Sequence, residues 1–210
     1  MSVLGELQPN KVFKYFEEIC SIPHGSRNLQ QISDYLVDFA KAHELKYRQD
    51  EDLNVIIWKD GSKGYEASEP VILQGHMDMV AVKEADCDKD MEKEGLDLEI
   101  NGDYISAKGT SLGGDDGIAV AYTLAVLDDE EMAHPPIEAI FTVNEEIGML
   151  GAATIDVSDL KGRLFMNMDS EDEGVFTVSC AGGASVICKI PYETETVNAS
   201  VIEIKMTGFA

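Results

Sequence analysis

Apolar residues recur at helical spacing in three segments of the chain, at residues 10–20, 30–43 and 115–127. In the first two segments they return every three or four positions, which is typical of an amphipathic helix that buries one face. The third segment is rich in alanine and other small apolar residues, and this composition favours a helix that packs closely against its neighbours. The pattern therefore predicts three helices.

Shorter apolar runs predict strands, at residues 53–58, 70–74, 103–108, 137–143 and 163–168. The second of these runs is apolar enough to lie in the middle of a sheet that is covered on both faces. Strands that alternate with helices are typical of α/β proteins. We therefore expect an α/β fold in which helices sandwich a largely parallel sheet.

The pattern changes after residue 183. Residues 184–190 and 199–206 alternate apolar and polar side chains with no predicted helix between them, so they predict the first strands of a second, α+β domain. We therefore divide the chain into residues 1–183 and residues 184–210. The last predicted strand would leave an unpaired edge, and we expect the sequence to be the amino-terminal part of a longer chain.

The net charge restricts the kinds of binding partner, and the cysteine content indicates the cellular compartment. With 40 Asp and Glu against 16 Lys and Arg, the formal net charge of the 210 residues is -24. This excess would repel phosphate backbones and anionic lipids, so we expect neither nucleic acid nor a membrane as a partner. The four cysteines form no CxxC pair, and no basic segment followed by an apolar one opens the chain. These features predict a cytoplasmic protein with reduced thiols.

Acidic and imidazole side chains are concentrated next to predicted strand ends, in residues 76–78, 113–117, 144–148 and 167–170. In an open α/β sheet the carboxyl ends of the strands form the crevice where ligands bind, so these segments could converge there. His76 and Asp78 are two positions apart and project from the same face, which lets one bind a cation while the other orients it. One histidine with several carboxylates suits zinc, manganese or cobalt.

Several of these segments, taken in order, resemble the aminoacyl-histidine dipeptidases (Xaa-His dipeptidases, peptidase D). This group belongs to the cocatalytic zinc peptidase family, which includes carboxypeptidase G, aminoacylase and peptidase T. The matching segments are Cys20-Ser-Ile-Pro-His24, Leu73-Gln-Gly-His-Met-Asp-Met-Val80, Ala107-Lys-Gly-Thr-Ser-Leu-Gly-Gly-Asp-Asp-Gly-Ile118, Met168-Asp-Ser-Glu-Asp-Glu-Gly174 and Cys180-Ala-Gly-Gly183. The resemblance implies a zinc-exopeptidase-like catalytic domain over residues 1–183 and the start of a lid or dimerisation domain over residues 184–210.

The resemblance also implies two divalent metal ions, zinc with manganese or cobalt as alternatives. His76 and Asp169 would bind the first ion, Glu146 the second, and Asp115 would bridge both. In the family, the second ion takes a further histidine from near the carboxyl terminus, and another histidine that acts on the substrate comes from the dimerisation domain. This chain ends before both, so we expect one complete metal site and a chain that is weakly active or inactive by itself.

Two further carboxylates acquire roles from the same resemblance. Glu145 would be the general base that accepts a proton from the attacking water and passes it to the leaving amine. Asp78 would hydrogen-bond His76 and raise its basicity. The family has a cis peptide bond after the bridging aspartate, which predicts one between Asp115 and Asp116. The implied substrate is an Xaa-His dipeptide such as carnosine, and the implied assembly of the full-length protein is a homodimer; no substrate-binding residue is assigned.

Three other functions remain open at this point. A related tripeptidase or N-acyl amino acid deacylase could use the same scaffold. A serine hydrolase could use Ser111, because Gly109-Thr-Ser-Leu-Gly113 fits the G-x-S-x-G motif, although His134 is the one histidine that follows it. A non-catalytic metal-binding or interaction module would bind a cation without turnover.

Some of these residues could have a purely structural role instead of a role in the site. A lone histidine such as His76 is most often a core residue, and Glu145 with Glu146 could be acids that favour a helix amino terminus. Asp115 could cap the helix that follows it. His24 and His134 lie in proline-containing loops and are predicted to be structural or exposed, with His134 the first candidate to replace the missing histidine ligand.

Overall fold

The computed structural model describes residues 2–170, 174–179, 186–196, 198, 200 and 202–204. The chain forms two compact units, Met1–Glu171 and Asp172–Ala210. The helices and strands described below all lie in the first unit. Half of the predicted strand at 199–206 lies outside the described residues. The described residues 186–190, 200 and 202–204 are not in a strand. The domain boundary at residue 184 therefore stays a prediction.

The helices are α1 Asn10–Cys20, α2 Gln30–Ala42, α3 Gly114–Leu127 and α4 Leu150–Thr154. The strands are β1 Lys46–Gln49, β2 Val55–Lys59, β3 Val71–His76, β4 Leu98–Asn101, β5 Tyr104–Ala107, β6 Ile137–Thr142 and β7 Leu164–Asn167. Among the described residues, no helix combines the length and the apolar character needed to cross a membrane.

Five strands form the main sheet in the order β1-β2-β6-β3-β7, and β4 pairs with β5 in a separate hairpin. Strand β3 is parallel to both β6 and β7, whereas β2 is antiparallel to β1 and β6. The predicted α/β fold with a mostly parallel sheet is confirmed. Sequence reasoning missed β1, β4 and α4. Strand β1 has no buried residue, so its pattern lacks the apolar alternation that marks a strand.

The three longer helices pack with one face of the sheet in a large core. Strand β6 is buried at every position and lies at the centre of the sheet, between β2 and β3. Its side chains Ala139 and Phe141 contribute to the core that includes Phe16 of α1, Leu36 of α2 and Leu124 of α3. The opposite face carries a smaller cluster, formed by Ile56, Ile72 and Ile140 with Trp58, Ile155 and Leu160 packed against it.

The strand directions place the acidic segments together. Because β3, β6 and β7 are parallel, their carboxyl ends meet at one edge of the sheet. His76 is the last residue of β3 and pairs with Thr142, the last residue of β6. Glu145 and Asp169 follow β6 and β7 within a few residues. This edge is therefore where we expect the predicted site to lie.

Candidate metal centre

The imidazole of His76 is buried and has a defined orientation. Its side chain is 1% exposed, and Nδ1 lies 2.9 Å from the backbone carbonyl oxygen of Asp78. Because a carbonyl oxygen can only accept a hydrogen bond, Nδ1 carries a proton. The lone pair of the neutral ring is then on Nε2, which lies 3.1 Å from Asp115 Oδ1 and 3.9 Å from Glu145 Oε2. Nε2 is therefore the atom that can bind a cation.

Three of the four predicted ligands converge around this nitrogen. His76, Asp115 and Glu146 each offer one ligand atom, and these atoms lie within 4.8 Å of one another. A nitrogen with carboxylate oxygens at this separation fits a divalent cation such as zinc or manganese. The group contains residues assigned above to both ions of a pair, with the predicted bridging residue Asp115 among them.

Asp169 is placed near this group but does not join it. It is exposed after β7, and among the described residues it is not part of the close cluster. Its charge nevertheless acts on the site, because it helps to raise the pKa values of His76, Asp116 and Glu145. Its role as a ligand stays a prediction.

The backbone before α3 presents Asp115 to the site. Gly113 has a φ of 67°, in the left-handed region, and a Cβ at that position would lie 2.8 Å from Met79 Sδ. Asp115 itself is not helical, with φ -87° and ψ 110°. The peptide bond between Asp115 and Asp116 is cis, which confirms the prediction.

Asp116 is a site residue that sequence reasoning missed. Its side chain is buried, and Oδ2 accepts a hydrogen bond of 3.1 Å from the backbone amide of His76. Gly75 permits this approach, because a Cβ there would lie 2.7 Å from Asp116 Oδ2. The available signal was a glycine directly before the ligand histidine, together with a second aspartate after Asp115. Asp116 therefore orients the backbone of His76.

Asp78 connects the end of β3 to the loop that contains Ser26 and to the turn that carries Glu145. Its buried carboxylate accepts hydrogen bonds of 2.8 Å from Ser26 Oγ, at Oδ2, and 3.0 Å from the backbone amide of Glu145, at Oδ1. Oδ1 lies 3.7 Å from His76 Nδ1, whose closer partner is the Asp78 carbonyl oxygen. Burial would raise the pKa of Asp78, but the nearby His76 and the hydrogen bonds from Glu145 and Ser26 lower it.

The pKa shifts show a site that holds excess negative charge. Burial would lower the pKa of His76, but Asp78 and the charges of Asp116 and Asp169 raise it to about 10. Burial raises the pKa of Asp116 to about 7. The charge of His76 lowers this pKa, and the charge of Asp169 raises it further. Burial and neighbouring carboxylates also raise the pKa of Glu145. A bound cation would relieve this repulsion, since it would attract every carboxylate in the group.

A turn after β6 holds the two predicted glutamates. Buried Asn54 accepts a hydrogen bond of 3.1 Å from the Val143 amide and donates one of 3.3 Å to the Gly151 carbonyl, so it bridges both ends of the turn. The next helix, α4, starts at Leu150 and has no acidic residue in its first turn. Glu145 and Glu146 are therefore not acids of a helix amino terminus, and the Glu145 side chain stays 30% exposed beside His76.

The serine hydrolase motif forms no catalytic pair in the described part of the chain. Ser111 Oγ donates a hydrogen bond of 2.6 Å to the Val80 carbonyl. His134 contacts the Pro135 carbonyl and the Ser62 hydroxyl instead. His134 also precedes β6, whose six residues extend about 20 Å toward the site. It is therefore too far away to replace a missing ligand.

His24 has a structural role, as predicted. It is 2% exposed, and its Nδ1 lies 2.6 Å from the Ile22 carbonyl oxygen. Burial lowers its pKa. The ring is therefore a neutral part of the loop between α1 and α2.

Comparison with known proteins identifies relatives along nearly the whole chain. No family model matches the sequence. The cytosol non-specific dipeptidase of Escherichia coli K12 is 38% identical over 207 residues, which cover 99% of this chain and 43% of that protein. The crystal structure of aminoacylhistidine dipeptidase from Vibrio alginolyticus superposes with a TM-score of 0.79 at 40% identity, over 81% of this chain and 35% of that one.

More distant structures share the fold. A tripeptidase from Staphylococcus aureus superposes with a TM-score of 0.65 at 23% identity, over 80% of this chain and 45% of that one. The chain spans less than half the length of each of these relatives. The identity to the two dipeptidases, together with the shared fold, shows that the chain belongs to the metallopeptidase family of the aminoacyl-histidine dipeptidases.

Proposed function

We propose that residues 1–210 carry part of the active site of a metal-dependent dipeptidase that hydrolyses Xaa-His dipeptides. The observation that carries the proposal is the convergence of His76, Asp115 and Glu146 within 4.8 Å, with Glu145 beside them. The similarity to an aminoacylhistidine dipeptidase and to a non-specific dipeptidase supports the substrate class.

The proposed cation ligands are the Nε2 atom of His76 and carboxylate oxygens of Asp115, Glu146 and Asp169. The clustered nitrogen and carboxylate donors support a divalent cation, and zinc is our first choice. A cation held there would make coordinated water more acidic and would stabilise negative charge on the substrate carbonyl. We propose two ions for the whole protein, with His76, Asp115 and Asp169 as the protein ligands of one.

Glu145 is the proposed general base. Its Oε2 atom lies 3.9 Å from His76 Nε2, so the carboxylate faces the space beside the cation ligands. The side chain is partly exposed, which allows contact with water and substrate. Its backbone amide is fixed by Asp78, so the carboxylate starts from a defined position. Glu145 would take a proton from water and deliver it to the leaving amine nitrogen.

The location and assembly of the protein are further proposals. The Escherichia coli relative is described as a cytosol dipeptidase, which supports a cytoplasmic location. A homodimer is proposed from the family resemblance alone. A small peptide is the proposed substrate.

Metal stoichiometry and substrate choice test the proposal. We expect about one zinc ion per chain after equilibrium dialysis, and none in the His76→Ala and Asp169→Ala variants. Turnover should be assayed with the chain alone and with a chimera in which the rest of the Escherichia coli relative completes it. Xaa-His dipeptides should be hydrolysed faster than tripeptides or N-acyl amino acids, and chelation should stop the reaction.

Each other function predicts a different result. Faster hydrolysis of tripeptides or N-acyl amino acids would favour the related peptidase or deacylase. Zinc binding with no turnover in either form would favour a metal-binding module. Activity that survives chelation and is lost with a fluorophosphonate would favour Ser111 as a nucleophile. Absence of zinc binding would refute the site.

A further inference from the structure

The loop between α1 and α2 contacts two of the segments that carry the proposed metal ligands, the one with His76 and the one with Glu146. The Ser26 amide donates a hydrogen bond of 3.1 Å to the carbonyl oxygen of Met79, which lies three residues after the ligand histidine. Ser26 Oγ donates one of 2.8 Å to Asp78 Oδ2. The Arg27 amide donates one of 2.8 Å to Asn144 Oδ1, directly before the proposed base. One short loop therefore braces two segments that are distant in sequence.

Asp78 links Ser26 to the turn that carries Glu145 and Glu146. Its side chain is fully buried, and a buried carboxylate is stable only when polar groups contact both of its oxygens. Oδ1 accepts from the Glu145 amide at 3.0 Å, and Oδ2 accepts from Ser26 at 2.8 Å. Among the described residues, Ser26 is the donor within hydrogen-bond distance of Oδ2. The hydroxyl therefore fixes the rotation of the carboxylate and keeps Oδ1 directed at the Glu145 amide.

We propose that Ser26 is a positioning residue for the reaction, acting through Asp78 on the backbone of Glu145 and its neighbour Glu146. This inference rests on the proposed function. Ser26 contacts neither the ligand atoms nor the proposed base side chain in its hydrogen bonds, so its effect must pass through Asp78. Loss of the hydroxyl would let the carboxylate rotate, and the turn that carries both glutamates would lose the one anchor that Asp78 provides, while the contacts of Asn54 and Asn144 remain.

The loop also makes hydrogen bonds that do not reach the site. The role of Ser26 can therefore be tested separately from the contribution of the loop to the fold. Asn28 Nδ2 donates a hydrogen bond of 2.8 Å to the Glu92 carbonyl, and the Asn28 amide donates one of 2.8 Å to the Gly25 carbonyl. Neither bond reaches Asp78. Asn28→Ala is therefore a matched control, because it removes a hydrogen bond of the same loop without changing the contact to the site.

Metal affinity is the first readout, measured on the whole chain with zinc and with cobalt, whose visible spectrum reports ligand geometry. Ser26→Ala should weaken binding by about ten-fold, the lower end of the effect of removing a direct partner of a metal ligand, because Ser26 acts one contact further out, through Asp78. It should also alter the cobalt spectrum. Ser26→Thr retains a hydroxyl and should restore most of the affinity, and Asn28→Ala should bind as the wild type does. Wild-type affinity in Ser26→Ala would overturn the inference.

A double-mutant cycle tests whether Ser26 acts through Asp78. If it does, adding Ser26→Ala to Asp78→Ala should weaken zinc binding no further. Fully additive losses would overturn the inference, because they would mean that Ser26 acts by another route. In the active chimera, Ser26→Ala should lower kcat with little change in KM, since neither residue is assigned to contact the substrate.

The outcomes separate this inference from the proposed function. Zinc binding that depends on Ser26, without hydrolysis of any peptide in either form, would refute the dipeptidase and the role in the reaction, and would leave Ser26 as a residue that positions the ligands of a metal-binding module. Hydrolysis with a fully active Ser26→Ala variant would refute the positioning role alone. A wild-type chain that binds no cation would refute both.

Discussion

The two halves of the candidate site differ in exposure. His76, Asp78 and Asp116 are each at most 2% exposed, whereas the side chains of Asp115 and Glu145 are 55% and 30% exposed. The buried half is connected by hydrogen bonds to the loop between α1 and α2, to the turn after β6 and to the end of β3. The exposed half projects into the space where a cation and a peptide would bind. Burial therefore fixes the orientation of one half of the candidate site, and exposure leaves Asp115 and Glu145 accessible to a cation and to water.

The largest expected effect is on zinc affinity, when the one proposed ligand in the buried half, His76, is removed. His76→Ala removes the proposed nitrogen ligand, and we expect zinc affinity to fall by more than about a hundred-fold, beyond the usual effect of an outer partner. Isothermal titration of the chain with zinc measures this loss. His134→Ala is the matched control, because that histidine lies at the opposite end of β6. Equal losses in both variants would contradict the site.

Close packing at Gly75 offers a way to disturb the buried half without removing any functional group. In Gly75→Ala the new methyl group would lie 2.7 Å from Asp116 Oδ2 and 3.1 Å from Ala119 Cβ. Overpacking of this kind costs about 1–3 kcal/mol of the free energy of unfolding. We expect a comparable loss in urea denaturation, together with weaker zinc binding.

Gly114→Ala provides the control for this substitution. A Cβ there would lie 3.8 Å from its nearest neighbour, Leu112 Cδ2, which is an ordinary contact. The free energy of unfolding should therefore change by less than about 0.5 kcal/mol, as for most substitutions that disturb no packing. A larger loss in Gly114→Ala than in Gly75→Ala would show that the contact with Asp116 is not the cause.

The adjacent aspartates should respond differently to truncation. Asp116→Ala leaves the buried His76 amide without its acceptor, so we expect the metal-free chain to lose about 1–3 kcal/mol. Asp115→Ala removes an exposed charge from an acidic group, and the metal-free chain should keep its stability while zinc affinity falls. Thermal unfolding without metal and zinc titration measure the two effects. Equal destabilisation by both variants would remove the distinction between the two halves.

A further predicted effect is a dependence of metal-free stability on pH. The pKa of His76 rises from 6.5 to about 10, and that of Asp116 rises from 3.8 to about 7. Both groups bind their proton more tightly in the folded chain, so their contribution is complete at low pH and is lost as pH rises through the folded values. Between pH 6.5 and pH 10 the melting temperature should fall by several degrees.

His76→Gln separates this contribution from the general repulsion of an acidic chain. Glutamine has no titrating proton, so the decline above pH 6.5 should become shallower in the variant, and the residual slope reports the remaining charges. Melting temperatures in the presence of a chelator, at several pH values, provide the measurement. An unchanged slope would mean that the imidazole proton does not contribute.

Much of the site followed from patterns that are local in the sequence. The apolar run that ends at His76, the acid pair Glu145-Glu146 and the aspartate after β7 were all identified from strands followed by chemistry-bearing residues. Such patterns work because the carboxyl ends of parallel strands share one edge, whatever the remaining packing. The ligand role of Asp169 stays a prediction.

By itself, then, the sequence determined the three longer helices, most strands of the main sheet, the α/β class and several of the residues that gather at one edge. The tertiary structure decided which way β1 and β2 pair, that His134 lies at the wrong end of β6, and that Asp116 and Ser26 support the site. The reason is physical. The hydrophobic period and the polar residues at strand ends depend on residues that are close together in the sequence. Ser26 and Asp78, in contrast, are 52 positions apart and form a hydrogen bond only after the chain has folded.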